Sequence, residues 1–355
     1  MADLPDARTP AARKGVAALL RIARPRRHTP GATAGLLALL AALLAMFSVL
    51  LPGRFLTPGT AQSMMFQLPE LGLLALAMTI PLISGGLNLA IIASANQCAL
   101  LMAWIMKTLI TSGAGSLETT TIIALALLSG LSLGALVGFI TGFLIATTGV
   151  HPILVTLGIM TVVDGISIYL TRGTVISGFP DSFQWVGNAT LAGIPIPFLI
   201  LVIAAIGVGL TLTRTAFGIS VYMIGSNAQA TRYSGIDTKR VLIGVYTLSG
   251  MLCFVAACLM MARFNSASPG YAQSYLLVTI LAAVLGGIDP FGGFGRISGL
   301  MIALVVLQVI ASGFNLLGLS QHLTLAIWGL TLIAVMSIKF LLAPLLARIR
   351  NPHRY

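Results

Sequence analysis

The chain has 355 residues, of which 57% are hydrophobic and only 8% are charged. A soluble domain carries roughly 25% charged residues, so this composition excludes a soluble fold of this size. Lipid covers the apolar exterior of a membrane protein, and helices satisfy their own backbone hydrogen bonds there. The sequence therefore predicts one all-α membrane domain and no separate soluble domain. The net charge of +12 does not predict nucleic-acid binding, because the basic residues lie at the edges of apolar blocks. Lipid headgroups are their expected partner.

Apolar segments follow a basic N-terminal tail over 1–30. A spanning helix needs about 20 apolar residues, and a search for such runs predicts about ten transmembrane helices. The first begins too far from the N-terminus, and is too long, for a cleaved signal peptide. The membrane domain covers 31–341, and a short tail, 342–355, follows it. The segments are 31–51, 64–83, 87–110, 119–147, 152–171, 195–213, 241–262, 276–288, 297–315 and 321–341.

Two of these segments have the sequence of discontinuous helices. Segment 64–83 contains two prolines and runs into a Gly-Gly pair, and segment 276–288 is short and ends in a second such pair. Proline lacks the backbone donor and clashes with the preceding turn, and helices that break within the membrane are common in transporters. We expect the breaks at Gly85, Gly86, Gly286, Gly287 and Pro290.

The basic residues predict the orientation of the chain. If the N-terminus is cytoplasmic and each segment crosses once, sixteen of the twenty Lys and Arg residues lie inside, mainly in the two tails and in the loop 214–240. Only Arg54, Lys107, Arg172 and Arg263 lie outside. This bias matches the positive-inside rule. It predicts an even number of crossings with both termini in the cytoplasm.

Segment 119–147 carries Gly130, Gly134, Gly138 and Gly142 at a constant spacing of four. Residues four apart lie close to one face of a helix. A face without side chains lets another helix approach closely, so we interpret these glycines as a packing surface rather than a ligand site.

The sequence lacks the motifs of membrane enzymes and ATPases. No glycine precedes any of its four lysines, which excludes the phosphate-binding loop G-x-x-x-x-G-K-[ST], and H-E-x-x-H does not occur. We therefore predict no catalytic residues, no metal and no cofactor, and any ATP must be hydrolysed by a partner chain. The three cysteines fall inside apolar segments, as buried, inert thiols do.

Polar residues inside the membrane are the candidates for function, since they are costly there. Glu70 and Asp164 are the two acidic ones, and Asn88, Asn96 and Gln97 belong to an unusually polar third segment. At about 100° per residue, Asn88 and Gln97 point to opposite sides of a helix, so this helix is either surrounded by protein or broken after Gly86. A neutral polar path suits an uncharged, hydroxyl-rich solute. Hydrogen bonding between helices is the alternative for each residue.

Six glycine-containing motifs carry a family resemblance. The inner loop reads Thr213-Arg214-Thr215-Ala216-Phe217-Gly218 and then Ile224-Gly225-Ser226-Asn227-Ala228-Gln229-Ala230-Thr231-Arg232-Tyr233-Ser234-Gly235-Ile236. Ser84-Gly85-Gly86-Leu87-Asn88-Leu89 precedes it, and Ala282-Ala283-Val284-Leu285-Gly286-Gly287, Gly292-Gly293-Phe294-Gly295-Arg296 and Phe314-Asn315-Leu316-Leu317-Gly318-Leu319 follow. Over roughly 60–340, their order and spacing resemble the ribose/xylose/arabinose-type permease subunits of bacterial ATP-binding-cassette importers.

The resemblance implies a mechanism and its partners. Two permease subunits, identical or different, would form the path in the bacterial inner membrane, cytoplasmic ATPase subunits would drive transport, and a periplasmic binding protein would deliver the solute. The path would include Glu70, Asn88, Asn96, Gln97 and Asp164. The loop 214–240 would contain the coupling helix that docks on the ATPase, with its contact residues at Gly218, Gly225, Ser226, Asn227, Arg232 and Gly235.

The chain departs from the family pattern at several positions. The family usually has Asp and Ser where this chain has Asn88 and Ala90, an arginine at Asp164 and an acidic residue at Ala228. These departures leave two alternatives to a monosaccharide or polyol importer. One is the same importer for another small solute, such as a nucleoside or a furanone-type signal. The other is an ion-coupled secondary carrier that uses Glu70 and Asp164.

Overall fold

The computed structural model describes residues 31–110, 115–320, 322–330 and 333. In this part of the chain, seven helices are long and apolar enough to cross a membrane. The fold is all-α, as predicted, apart from two small two-stranded sheets. The tails 1–30 and 342–355 lie outside the described residues. So does most of the predicted tenth segment, 321–341, of which only 322–330 and 333 are described, all in helical conformation.

The helices follow the predicted segments closely, with extra short helices in the loops. The first five are α1 (Gly31–Leu50), α2 (Pro58–Ile83), α3 (Ile91–Leu109), α4 (Ser116–Thr148) and α5 (Pro152–Thr171). After strand β1 (Ile176–Ser177) come α6 (Asp181–Asn188), β2 (Thr190–Leu191) and β3 (Ile194–Pro195). The remainder consists of α7 (Ile196–Arg214), α8 (Ala216–Ser226), α9 (Ala228–Tyr233), α10 (Thr238–Phe264), β4 (Ser266–Ala267), α11 (Tyr275–Leu285) and α12 (Ile297–Leu316).

Helix α2 is the centre of the bundle. It begins at Pro58, where Thr57 caps the first turn by accepting a hydrogen bond from the backbone N–H of Thr60. From Leu68 to Ile83 every residue is buried. The helix runs without interruption past both of its prolines, because neighbouring helices surround the backbone groups that proline leaves unpaired.

The chain breaks after α2, as the sequence predicts. Ser84 and Gly85 form a turn, and residues 86–90 are not helical. Helix α3 therefore begins at Ile91 and not at 87. The physical reason is the side chain of Asn88, whose Oδ1 accepts a hydrogen bond from the backbone N–H of Ala90 at 3.2 Å. Such a local side-chain bond competes with helix formation.

Helices α4 and α10 pack closely through the predicted glycine face, which confirms its role in packing. A Cβ atom on Gly134 would lie 2.6 Å from the carbonyl oxygen of Gly250, and one on Gly142 would lie 2.7 Å from the Cα of Ile243. Gly138 approaches the backbone of Tyr246 as closely, and Gly130 packs against the side chains of Met102 and Phe254.

A small cap covers the end of the bundle where α10 finishes. Strands β1 and β4 pair in antiparallel fashion, with Ile176 opposite Ala267. Helix α6 lies against the last turn of α10, where the side chain of Asn188 donates a hydrogen bond to the carbonyl of Ala262 at 3.2 Å. The cap ties the long loop after α5 to the loop after α10.

Candidate functional site

The two helix breaks and α8 meet at one point, which we call the glycine junction (Gly85, Gly225, Gly292 and Gly293). The backbone N–H of Gly293 donates a hydrogen bond to the carbonyl of Ile83, the last residue of α2, at 2.8 Å. A Cβ atom on Gly292 would lie 2.6 Å from the nitrogen of Gly85 and 3.1 Å from the Cα of Gly225. One on Gly225 would collide with the carbonyl of Ile83. Three segments far apart in sequence therefore touch backbone to backbone.

The second break is a hydrogen-bonded turn. Helix α11 ends at Leu285, and Gly286 and Gly287 continue it with turn hydrogen bonds to the carbonyls of Ala282 and Val284. Pro290 follows Asp289 in a β-turn that is closed by a 3.0 Å hydrogen bond from the N–H of Gly292 to the carbonyl of Asp289. Proline suits this turn position because its φ is already near the required value. The structure thus places every predicted break residue where a helix has ended.

Helices α8 and α9 form a short bent segment beside this junction. Thr215 caps α8 by accepting from the N–H of Gly218 at 3.1 Å, and Gly218 packs directly against the last turn of α7. Asn227 separates the two helices and caps α9, accepting from the N–H of Ala230 at 2.9 Å. Gly235 ends the segment with a positive φ of +82°. The side-chain caps formed by Thr215 and Asn227 therefore fix the bend of this segment.

The outward side of this segment is exposed. Ser226, Asn227, Arg232 and Gly235 are all exposed, and 91% of the surface of Tyr233 is accessible. Gly225 is partly buried on the opposite side, against the glycine junction. The six predicted coupling residues thus divide into an exposed group and a packed group. Sequence reasoning missed Phe291, which is 87% exposed on the neighbouring break loop. An aromatic residue between proline and glycine was the available signal.

Asn88 lies buried in the first break and joins three elements. Its Nδ2 donates to the hydroxyl of Ser249 on α10 at 2.9 Å, and that hydroxyl donates to the carbonyl of Ala77 on α2 at 2.7 Å. Asn88 therefore connects the unwound segment to the two most central helices. Beside it lies the fully buried Tyr246, whose hydroxyl has no hydrogen-bond partner among the described residues.

Asn96 and Gln97 face different neighbours. The Nδ2 of Asn96 donates to the carbonyls of Pro269 and Tyr271, at 2.9 and 3.0 Å, and so holds the loop after α10. Gln97 Oε1 accepts from the hydroxyl of Ser167 on α5. Asp164 precedes Ser167 by three residues and shares its helix face. Gln97 and Asp164 therefore lie at one α3–α5 contact.

Glu70 forms a buried ion pair that sequence reasoning did not find. Its Oε1 accepts from Nη1 of Arg263 at 2.9 Å, and the same Nη1 donates to the carbonyl of Phe66. Only 3% of the Glu70 side chain and 23% of the Arg263 side chain are accessible. The charge count assigned Arg263 to an outer loop, whereas the structure places it in the last turn of α10, facing α2.

The five predicted path residues thus occupy separate places. Asn88 lies at the first break, and Gln97 and Asp164 lie at the α3–α5 contact. Asn96 lies against the loop after α10, and Glu70 lies against the last turn of α10. Over the described ranges, no group of three or more His, Cys, Asp or Glu side chains is placed to hold a metal ion. The arrangement is a set of interhelical polar contacts around an apolar bundle.

Comparison with known proteins identifies the family. The family model described as "Branched-chain amino acid transport system / permease component" matches residues 60–336. The ribose import permease protein RbsC of Bacillus subtilis is 34% identical over 297 residues, which cover 83% of this chain and 88% of the relative. The autoinducer 2 import system permease protein LsrD of Yersinia enterocolitica is 31% identical over 271 residues, 75% of this chain and 78% of the relative. No solved structure matches.

These matches confirm the resemblance that the inner-loop and glycine motifs carry. The family consists of transport permeases, so the chain is a membrane transport subunit and not an enzyme. The matched range includes both helix breaks and the whole α8–α9 segment. The chain belongs to this family of transport-system permease components.

Proposed function

We propose that this chain forms the translocation path of an ATP-binding-cassette importer for a monosaccharide or a related polyol. The observation that carries the proposal is the position of α8 and α9. Their outward side, with Arg232 and Tyr233, is exposed for a partner, and their inward side packs through Gly225 against both helix breaks. A partner that moves this segment therefore moves the ends of α2 and α11 directly.

The charge distribution supports an orientation with this segment in the cytoplasm. Arg214, Arg232, Lys239 and Arg240 lie in or next to it, and basic residues favour the cytoplasmic side. The ATPase would bind there, and the periplasmic binding protein would dock at the opposite end, near α6. Ten crossings, with breaks after α2 and α11 and both termini inside, fit this orientation in the bacterial inner membrane.

A second permease subunit is the proposed neighbour of α5. Only 17% of the residues in the apolar window of this helix are buried within the chain, and Asp164 is half-buried without an ion pair among the described residues. A carboxylate facing lipid is costly. A path between two copies, or between this chain and a divergent partner, would give Asp164 and Gln97 an aqueous surface.

The neutral side chains support an uncharged, hydroxyl-rich solute. Asn88, Asn96 and Gln97 offer amide groups, and a ribose import permease is among the similar proteins. Because the chain departs from the family pattern at Asn88 and Asp164, the same type of importer for another small solute remains the alternative.

Reconstitution tests the proposal. The chain is assembled in vesicles with the ATPase, binding protein and any second permease encoded beside it, and uptake of radiolabelled D-ribose, D-xylose, L-arabinose and a nucleoside is measured. We expect ATP-dependent uptake of a sugar. Uptake by the single chain under a proton or sodium gradient, without the ATPase, would instead identify an ion-coupled carrier.

The coupling role has a more specific test. Tyr233→Ala should weaken binding of the ATPase subunit about tenfold, since an exposed aromatic residue in an interface is a common binding hot spot. Trp185→Ala on α6 is the matched control, because Trp185 is also an exposed aromatic residue but lies at the other end of α10. Equal ATPase binding by both variants and the wild type, measured by co-purification from nanodiscs, would contradict the docking role of α9.

A further inference from the structure

A cavity of about 290 Å³ lies inside this single chain, between α2, the start of α11, α12 and the described residues Leu319, Thr324 and Trp328. Its size is close to the lower end of the range for small-molecule sites, about 300–1,000 Å³. Seven of its lining side chains are polar or aromatic with a polar group: Gln67, Ser274, Tyr275, Gln308, Asn315, Thr324 and Trp328. A polar cavity of this size within an apolar bundle needs an occupant.

The cavity lies at the end of the bundle away from the glycine junction. Gln67 precedes Ile83 by sixteen residues, which is about 24 Å along a helix, and Asn315 is in the last turn of α12. Gln67 is also three residues from Glu70, so the two side chains share a face of α2. In the proposed orientation, this is the outer half of the membrane.

The amide groups in the cavity are only partly satisfied by the protein. Gln308 donates from Nε2 to Oε1 of Gln67 and to the hydroxyl of Ser312, both at 3.1 Å. The carbonyl oxygen of Gln308 and the Nε2 of Gln67 then remain for a ligand. Within the described ranges, the side chains of Asn315, Ser274 and Tyr275 also form no hydrogen bond. The cavity thus presents donors and acceptors from several directions.

The chemistry of this lining selects a neutral, hydroxyl-rich ligand. No acidic or basic side chain is among the described residues that line the cavity, so a charged solute would find no counter-charge. Amide groups pair well with hydroxyls, because each amide both donates and accepts. The rings of Tyr275 and Trp328 offer flat apolar surfaces for the C–H face of a sugar ring. A fatty-acyl chain would leave the free amides unpaired, which is unfavourable for buried polar groups.

We infer that this cavity is a binding site within one subunit for a neutral polyol of pentose or hexose size. It is separate from a path formed between two subunits. The choice of solute class rests on the proposed function, whereas the site itself rests on the cavity and its unpaired amide groups.

Cysteine protection tests the site on the full-length chain in nanodiscs. Asn315→Cys places a thiol in the cavity wall, and labelling by a water-soluble maleimide is followed with and without D-ribose. At a ribose concentration ten times its dissociation constant, we expect labelling to slow about tenfold. Gln273→Cys is the matched control, because Gln273 is exposed in the adjacent turn and does not line the cavity. Its labelling should not change. The wild-type chain measures any background from the native cysteines, two of which are fully enclosed.

A second substitution keeps the test independent of the thiol. Gln308→Leu, similar in volume, added to Asn315→Cys should abolish the protection by ribose, and Gln273→Leu in the same background should not. A monodisperse elution profile confirms that each variant is folded. If neither D-ribose nor D-xylose, L-arabinose or xylitol protects Asn315→Cys, or if Gln308→Leu leaves the protection intact, the inference is wrong.

Uptake by the assembled wild-type importer separates this inference from the proposed function. ATP-driven sugar uptake without protection at Asn315→Cys would overturn the cavity site and leave the importer function standing. Protection without any ATP-driven uptake would overturn the importer function and leave the binding site standing.

Discussion

Helices α2 and α5 are both apolar enough to cross a membrane, yet they occupy opposite positions in the bundle. In the most apolar 18-residue stretch of α2, 89% of the residues are buried, and in that of α5 the share is 17%. The buried helix is the less regular of the two, with Pro69, Pro81 and the charged Glu70. The exposed one has no proline after its first residue and carries large apolar side chains.

The difference shows where irregular sequence is tolerated in a membrane protein. Prolines and charges are acceptable at the centre, because other helices supply the missing hydrogen bonds and counter-charges. A helix that faces lipid or a partner chain must satisfy its backbone alone. Hydropathy therefore identifies the segments in the membrane, while internal prolines indicate which of the two helices lies at the centre. An acidic residue alone does not, since α5 carries Asp164.

Removing the charge from the centre should have the largest effect. Glu70→Leu leaves Arg263 without its counter-charge in a mostly buried position, and breaking such a pair costs about 3–5 kcal/mol. We expect a lower free energy of unfolding in detergent, measured by denaturant titration. The double variant Glu70→Leu/Arg263→Met should recover much of the loss, because no buried charge is left unpaired. A single variant as stable as the wild type would contradict the central role of this pair.

Two glycines give a matched comparison of the same helices. A Cβ atom on Gly72 of α2 would lie 2.7 Å from Cδ1 of the fully buried Leu201, whereas one on Gly165 of α5 meets nothing within 4 Å. Gly72→Ala should therefore destabilise the chain by about 1–3 kcal/mol through overpacking. Gly165→Ala should stabilise it by up to about 1 kcal/mol, because alanine favours the helix. Thermal unfolding of both variants checks the prediction, and a reversed order would show that α5 is the packed helix.

Asp164 should give the smallest change in stability. It forms no hydrogen bond or ion pair within the described part of the chain, so Asp164→Asn should alter the free energy of unfolding of the isolated chain by less than about 0.5 kcal/mol. The same denaturant titration measures it. A larger loss would mean that the carboxylate has a partner inside the subunit. A normal isolated chain with impaired uptake in the assembled importer would support its place at the subunit boundary.

Much of this fold follows from local sequence rules. The positions of the apolar segments, both helix breaks and the close packing of the α4 glycines were predictable, because each depends on residues near one another in the chain. The start of α3 was predicted four residues early. There the side chain of Asn88 turns the backbone at Ala90, a local hydrogen bond that an apolar segment search ignores.

The contacts between distant segments could not be predicted. Glu70 and Arg263 are separated by 193 residues, and nothing in either segment specifies the other as its neighbour. The contacts of the glycine junction could not be predicted either. Each Gly-Gly pair predicts a break, but only the packed bundle brings Gly85, Gly225 and Gly292 to one point. The cavity beside Gln67 and Gln308 likewise depends on four separate elements.

The packing of α4 on α10 has a consequence for motion. The glycines of α4 recur every four residues, and three of them face the backbone of α10 one turn further along each time: Gly134 at Gly250, Gly138 at Tyr246 and Gly142 at Ile243. A shift of one residue, about 1.5 Å, would bring a side chain into each of these backbone contacts at once. Sliding of one helix along the other is therefore blocked. The two helices must move through any transport cycle as a single rigid body, and the hinges lie elsewhere in the chain.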